Sequence, residues 1–256
     1  MDITQIRNAT LRIAYAGRRF LVDPMLAAAG AYPGYPGTLN SHRSNPLVDL
    51  PLPLEAILAV DAVIVTHTHP DHWDEAALRL VPRHLPVFVQ DARDAAEIGA
   101  AGFGDVRILG DATEFEGIRL TRTGGQHGSD AAMAAIGAML GAVCGVVFRH
   151  PGERTLYVAG DTLWNPEVEA ALRRHGPEVI VLNAGEATVS GIGAITMGVE
   201  DVLAVQRAAP GATILASHME AVNHAALPRA VLRDAVAKAG LSARILVPED
   251  GETLRF

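Results

Sequence analysis

The sequence predicts an α/β fold built on a large mixed sheet, or on two sheets packed together. Short apolar runs rich in β-branched residues recur along the 256 residues and end in turn residues, which is the pattern of buried strands. An early hairpin precedes strands that alternate with helical patterns, an order typical of α/β proteins. The apolar content of 49% is sufficient for a large core. This length fits one large domain, so residues 1–256 are expected to form a single domain.

The strand candidates begin with a hairpin in ATLRIAYAGRRFLVDP, where Leu11, Ile13 and Tyr15 alternate and Ala16-Gly17 forms the turn. Nine further segments have the composition and length of strands and end at Gly, Asp or His. They are DAVIVTH, LPVFVQD, DVRILG, GIRLTRTGG, GAVCGVVFRH, RTLYVAGD, PEVIVLNAG, ATILASH and ARILVPED.

Helices are predicted between several of these strands, because apolar residues recur there at helical spacing. Asp74 is placed to cap the first of them at its N terminus. The predicted helices cover roughly residues 74–81, 91–99, 166–175, 199–209 and 227–239.

Residues 25–53 interrupt this alternation. The segment is rich in Gly, Pro and Asn and has no periodicity, and loops of such length are uncommon unless they are functional or disordered. Its two tyrosines and apolar ends favour an ordered surface loop. His42 lies in this loop and is a candidate for contact with substrate if the loop overhangs a site.

The net charge and the cysteine content argue against several classes of protein and kinds of site. The net charge of −8 argues against a nucleic-acid scaffold, since such proteins usually present a basic face. The one cysteine, Cys144, excludes an intramolecular disulfide and a thiolate metal cluster. Residues 131–148 carry no charge, but they are rich in Ala and Gly and run into a strand–turn–strand pattern, so no membrane span is predicted. Without a signal peptide, the protein is expected to be cytoplasmic.

A cluster of polar residues follows the apolar strand in DAVIVTHTHPDHWD. Residues two apart on an extended segment point the same way, so His67 and His69 can share one cation. The chain turns at the following proline, which directs Asp71 and His72 towards a second ion. Imidazoles and a carboxylate at this spacing suit zinc or a neighbouring transition metal.

Two metal ions need more ligands than this segment supplies, so other strands should also end in His or Asp. Three of them do. The strand in IRLTRTGGQHGSD leads to His127, the strand in RTLYVAGDT leads to Asp161, and the strand in ATILASHME leads to His218. Together with residues 67–72, these positions predict a metal site built from distant parts of the chain.

The motifs H-T-H-P-D-H, G-G-Q-H-G, A-G-D-T and A-S-H-M, in this order, resemble those of the metallo-β-lactamase superfamily. The resemblance implies a four-layer αββα sandwich with a dinuclear site at one edge of the two sheets. The early hairpin ending in VDPML and the Gly-rich third motif are most similar to the branch that includes ascorbate-6-phosphate lactonase. Carried over to this chain, the implied ligands are His67, His69 and His127 for one metal, Asp71, His72 and His218 for the other, and Asp161 as the bridge.

Three further residues are candidates for the same site. His224 is the alternative last ligand to His218, although His218 lies directly at its strand end. As a non-ligand, His224 would contact substrate or support a ligand. Asn183 follows a strand and is a candidate for contact with substrate, as is His42. Asp71 is the candidate catalytic residue, which would orient the nucleophile or pass its proton to the leaving group.

The implied chemistry is hydrolysis. Two divalent cations lower the pKa of a shared water and make hydroxide available near neutral pH, and they polarise the scissile carbonyl or phosphoryl oxygen. Zinc is the expected metal, with manganese and iron as alternatives. The predicted function is hydrolysis of a small, anionic ester, lactone or related acyl substrate, by a monomer or a homo-oligomer.

Two alternative functions are kept. One is a metal-dependent phosphodiesterase that acts on a nucleotide or RNA, and the other is a metal-binding protein without turnover. An oxygen-reducing di-iron enzyme is disfavoured, since the resemblance implies that such relatives carry Glu where His69 stands.

Overall fold

Two seven-stranded sheets form the centre of the computed structural model, which describes residues 1–256. The strands are β1 (Asp2–Arg7), β2 (Thr10–Tyr15), β3 (Arg18–Val22), β4 (Ala62–Val65), β5 (Val87–Val89), β6 (Val106–Ile108), β7 (Thr113–Phe115), β8 (Ile118–Thr123), β9 (Gly145–Arg149), β10 (Leu156–Val158), β11 (Val179–Asn183), β12 (Thr188–Val189), β13 (Gly193–Ala194), β14 (Thr213–Ser217), β15 (Ile245–Leu246) and β16 (Thr253–Arg255). The helices are α1 (Leu54–Ile57), α2 (Glu75–Leu80), α3 (Ala92–Ala100), α4 (Asp130–Leu140), α5 (Pro166–His175), α6 (Val199–Ala208) and α7 (Arg229–Lys238).

Both sheets are mixed. The first has the strand order β16-β1-β2-β3-β4-β5-β6, and the second has the order β15-β14-β11-β10-β9-β8-β7. Strands β3 to β6 run parallel to one another, as do β10, β11, β14 and β15. Strand β8 runs in the direction of β10, because β9 is antiparallel to both. Strands β12 and β13 form a small separate ribbon.

The fold has four layers, because side chains alternate between the two faces of each sheet and both faces are covered. In β11, Val179 and Val181 belong to a hydrophobic cluster shared by the two sheets, whereas Ile180 and Leu182 pack on the opposite face with residues of α5, α6 and α7. The outer face of the first sheet packs against α1, α2 and α3. The predicted αββα sandwich is therefore confirmed. Since both sheets contribute to one inner cluster, we propose that residues 1–256 fold as a single domain.

The predicted hairpin, the nine further strands and the five helices are present, with ends within about two residues of the expected ones for the helices. Strand β1 was not predicted, because Thr4, Gln5 and Arg7 interrupt its apolar pattern although all three are buried. Arg7 donates to the carbonyl oxygens of Met25 and Ala27, so its polarity serves the adjoining loop. Within residues 131–148 lie all of α4 except its first residue and all of β9 except its last. None of the seven helices is both long and apolar enough to span a membrane.

The loop between β3 and α1 contains no helix or strand, as predicted for residues 25–53. It is fastened at several points. Tyr32 and Asn45 form a β-bridge within it, and Thr38 forms another with Val189 of β12. Asp74, which caps α2 as predicted, accepts from the Ala77 amide and also from the amides of the loop, at Leu26 and Ala27. The loop is thereby held over the ends of the sheets.

Candidate metal centre

The carboxyl ends of strands from both sheets meet at one edge of the sandwich. His67 to His72 follow β4, His127 follows β8, Asp161 follows β10 and His218 follows β14. Parallel strands place their carboxyl ends on the same side, so the topology brings side chains from distant parts of the chain together. We call the seven predicted ligands the His/Asp cluster: His67, His69, Asp71, His72, His127, Asp161 and His218.

The first group in the cluster consists of His67, His69 and His127. Their ligand nitrogens lie within 4.8 Å of one another, and His67 Nε2 is 2.9 Å from His69 Nδ1. The other ring nitrogens of His127 and His67 contact groups outside the cluster. His127 Nδ1 donates to the carbonyl oxygen of Ile195 at 2.8 Å, and His67 Nδ1 lies 3.2 Å from the Thr66 hydroxyl. A donor at His127 Nδ1 leaves a lone pair on Nε2, which faces the group.

The second group consists of Asp71, His72 and His218. His218 Nε2 lies 3.3 Å from Asp71 Oδ2 and 3.2 Å from His72 Nε2. His224 belongs to none of the three sets of converging metal-ligand atoms. The geometry thus favours His218 over His224 as the last ligand.

Asp161 lies between the two groups. Its Oδ2 atom is 3.3 Å from His72 Nε2, 3.5 Å from His127 Nε2 and 3.7 Å from His218 Nε2. The other oxygen, Oδ1, accepts from Asn183 Nδ2 at 2.7 Å. One carboxylate oxygen therefore faces ligands of both groups, as a bridging residue requires. Gly160 precedes it at φ +70°, where a Cβ would collide with the Cys144 carbonyl.

Asp23, which is not among the predicted site residues, contacts His72 on the side of the ring that faces away from the cluster. Asp23 Oδ2 accepts from His72 Nδ1 at 2.9 Å and from the Thr66 hydroxyl at 2.8 Å, and Oδ1 accepts from the Thr66 amide at 2.7 Å. This contact fixes the His72 tautomer with its Nε2 lone pair towards the cluster. The signal was available, since Asp23 directly follows β3 as the ligands follow their strands.

The cluster fits divalent cations. Six of its seven residues are buried, and imidazole nitrogens and carboxylate oxygens converge with no Lys or Arg among them. Burial opposes ionisation of Asp161, but the imidazoles of His72 and His218 lower its pKa well below the ordinary value. Burial and the neighbouring His72 and His69 also lower the pKa of His67. Asp161 and His67 therefore offer unprotonated ligand atoms at neutral pH. At His72 and His218 burial is outweighed by the neighbouring carboxylates, chiefly Asp161, which raise the pKa of the imidazoles, so a cation that binds there displaces protons.

A pocket of about 320 Å³ opens onto the cluster. His69, Asp71, His127 and Asp161 line its polar side, together with His224. The other walls are mostly apolar and come from the loop after β3, from α4 and from the ribbon, and no Lys or Arg lines the pocket. The apolar side chains are Tyr35, Pro36, Pro70, Met139, Leu140, Val189 and Ile195.

The three remaining candidates have different positions. His224 lines the pocket and is only 6% exposed. Asn183 does not line the pocket and instead holds Asp161. His42 is exposed and is not among the pocket residues, so the structure offers it no contact with a substrate there.

His224 gives a prediction for the pH dependence of stability. Burial lowers its pKa from 6.5 to about 4. As the pH falls below 6.5, the unfolded chain gains a proton at His224 that the folded chain does not bind, so the free energy of unfolding decreases. In metal-free protein, wild type should lose about 2 kcal/mol more than His224→Gln between pH 6.5 and 5. Urea unfolding measures this. The exposed His42→Gln is the control and should follow wild type, whereas equal slopes for wild type and His224→Gln would contradict the prediction.

Residues 18–219 match the family model described as β-lactamase superfamily domain. The chain is also 48% identical to the UPF0173 protein YddR of Bacillus subtilis over 257 residues, which cover 100% of both chains.

Two solved structures of hydrolases are also similar to this chain. The chain is similar to an isothiocyanate hydrolase from Delia radicum gut bacteria, with a TM-score of 0.97 and 49% identity over 100% of this chain and 99% of that one. A possible metal-dependent hydrolase from Veillonella parvula superposes with a TM-score of 0.98 and 42% identity, over 99% of this chain and 98% of that one.

Proposed function

The chain belongs to the metallo-β-lactamase superfamily, within the UPF0173 family of metal-dependent hydrolases, and from this premise we propose that it hydrolyses small neutral substrates with two divalent cations held by the His/Asp cluster. His67, His69 and His127 would hold one cation, and Asp71, His72 and His218 the other. Zinc is the metal that this set of nitrogen and oxygen donors suits best. The narrower resemblance to ascorbate-6-phosphate lactonase remains a prediction.

Each part of the site has a separate role in this proposal. When bound, the cations supply an acidic water and polarise the electrophilic group of the substrate. Asp161 joins the two ligand groups through one oxygen, while Asn183 fixes the other oxygen. Asp71 lines the pocket and is placed to orient the nucleophile or to carry its proton to the leaving group.

The observation that carries the proposed substrate class is the absence of Lys and Arg from the lining of the 320 Å³ pocket. Arg93 lines a separate, smaller cavity of about 130 Å³ beside His67 and His69. An anionic substrate such as a sugar phosphate is usually held by a cationic side chain near its charge. The apolar walls instead suit a neutral compound with an apolar arm. The pocket lining therefore favours a neutral substrate over the anionic one expected from the sequence.

We propose isothiocyanates as the first substrates to test, because the similar protein from Delia radicum gut bacteria is an isothiocyanate hydrolase. Their N=C=S group has an electrophilic carbon comparable to the carbonyl carbon of an ester or lactone. Hydrolysis adds the oxygen of water to this carbon and gives a thiocarbamate. Cleavage of its C–N bond then releases an amine and carbonyl sulfide, so the reaction consumes one water and needs no other reactant.

The test is a substrate panel with zinc-reconstituted protein: benzyl isothiocyanate, δ-valerolactone, p-nitrophenyl acetate, an anionic sugar-phosphate lactone and bis-p-nitrophenyl phosphate. We expect kcat/KM for benzyl isothiocyanate to exceed that for the phosphodiester and the anionic lactone by about 100-fold or more. His67→Ala should be inactive, and His84→Ala is the matched surface control, since His84 is exposed and outside the cluster. Higher activity on the anionic compounds, or equal rates for wild type and His67→Ala, would overturn the proposal.

A further inference from the structure

Asn223 connects the loop after β3 to the chain segment that follows β14. Its Oδ1 atom accepts from Asn45 Nδ2 at 2.7 Å and from the Tyr35 amide at 3.1 Å. Its Nδ2 atom donates to the Thr38 hydroxyl at 2.8 Å and to the Leu39 carbonyl at 2.7 Å. All four hydrogen-bonding positions of this buried amide are occupied by the loop, so Asn223 fixes the backbone that carries Tyr35.

Tyr35 lies where this loop meets the pocket. Its ring packs edge-on against His224, with centroids 5.1 Å apart, and both residues line the pocket beside Asp71. The hydroxyl oxygen is buried and has no hydrogen-bond partner. Burial raises the pKa of Tyr35, and Asp71 is the charged group that adds most to this rise, so the phenol keeps its proton near the cluster. A buried donor without a partner is rare and requires an explanation.

We infer that the Tyr35 hydroxyl donates a hydrogen bond to the substrate heteroatom on which negative charge develops, and that Asn223 is the positioning residue that holds Tyr35 in place. This inference rests on the proposed function. When water oxygen adds to the carbon of an isothiocyanate, an electron pair of a C=N or C=S bond moves to nitrogen or sulfur. A fixed donor near that atom stabilises the transition state more than the ground state.

Tyr32, from the same loop, provides a matched comparison. Its hydroxyl already has partners, since it donates to Asp74 Oδ2 at 3.4 Å and accepts from the Ala76 amide at 3.2 Å. Removal of the Tyr32 hydroxyl should therefore reduce stability and leave the reaction unaffected. Removal of the unpartnered Tyr35 hydroxyl should leave the melting temperature unchanged or raise it.

The first experiment compares Tyr35→Phe with Tyr32→Phe in zinc-loaded protein with benzyl isothiocyanate as substrate. We expect Tyr35→Phe to lower kcat by about tenfold or more, with KM, zinc content and melting temperature near those of wild type. Tyr32→Phe should keep the wild-type kcat. An unchanged kcat in Tyr35→Phe would overturn the role of the hydroxyl.

A double-mutant cycle tests Asn223. Asn223→Ala should lower kcat. When Tyr35→Phe is added to Asn223→Ala, kcat should fall by less than about a further twofold, because the hydroxyl is then no longer held in place. If Asn223→Ala does not fold, Asn223→Asp replaces it, since an aspartate oxygen faces the Leu39 carbonyl without a proton to donate. Additive effects of the two substitutions on kcat would show that Asn223 does not act through the Tyr35 hydroxyl and would overturn its positioning role.

A binding measurement separates this inference from the proposed function. If wild type hydrolyses none of the panel, the proposed substrate class fails, and the hydroxyl is then tested with benzamide, a neutral apolar ring with one carbonyl acceptor. Calorimetry with zinc-loaded protein should give a Kd about fivefold weaker for Tyr35→Phe than for wild type, and an unchanged Kd for Tyr32→Phe. Equal or undetectable binding of benzamide by wild type and Tyr35→Phe would overturn the inference as well.

Discussion

Replacement of Asp161 by asparagine is expected to lower kcat by about 1,000-fold, because its Oδ2 atom faces ligands of both groups in the His/Asp cluster. Asparagine keeps the size of the side chain but loses the negative charge between the two groups. Its amide nitrogen would face either Asn183 Nδ2, where two donors oppose each other, or the imidazole lone pairs, where it would compete with the cations for them. Zinc bound per chain should fall from two to one or fewer.

The measurement combines kcat on the best substrate of the panel with elemental analysis of zinc after dialysis. Asp234→Asn is the control, since Asp234 lies on the exposed face of α7 and pairs only with Lys238. It should keep wild-type activity and zinc content. Two zinc ions per chain and near wild-type kcat in Asp161→Asn would show that this carboxylate does not join the two groups.

Removal of Asp23 is expected to weaken both the fold and the metal site. Asp23→Ala leaves the Thr66 amide and His72 Nδ1 buried without an acceptor, because both now donate to the Asp23 carboxylate. The free energy of unfolding should fall by about 3 to 5 kcal/mol, as when one partner of a buried pair is removed. The affinity for zinc should fall by about 10-fold to 100-fold, because the His72 ring loses the contact that orients it.

Urea unfolding and competition for zinc with a chelator measure the two effects. Asp23→Asn keeps the size of the side chain and serves if Asp23→Ala does not fold. The control is Asp61→Asn, which removes a carboxylate that accepts from one backbone amide, that of Arg19 on the neighbouring strand. Zinc affinity in Asp23→Ala equal to that of Asp61→Asn would show that Asp23 has no part in metal binding.

Much of the fold was predictable from the sequence because local signals agreed with the tertiary structure. Strand β4 is apolar along its whole length and β11 is apolar up to its last residue, Asn183, which is typical of strands buried on both faces. The sequence does not predict β1, because its buried polar residues have partners outside the strand: Thr4 contacts Thr253, Gln5 accepts from Ser217, and Arg7 donates to the loop after β3. Helix α4 was not specified, since Ala and Gly predominate there and an apolar stripe is weak.

The predicted ligands lie together because each follows a strand end, and parallel strands deliver such residues to one edge. Asp23 has the same signal, but it acts through His72 and has no motif of its own. Asn223 and Tyr35 could not be connected from sequence. Their hydrogen bond spans 188 positions, and no periodicity relates a loop near the N terminus to a turn after β14.

The central claim is that the His/Asp cluster holds two divalent cations. Crystals grown with zinc, measured on both sides of the zinc absorption edge, test it most directly. Two anomalous peaks per chain are predicted, one among His67, His69 and His127, the other among Asp71, His72 and His218, with the Asp161 carboxylate between them. An ordered cluster without anomalous density, or zinc found only elsewhere on the chain, would contradict the account.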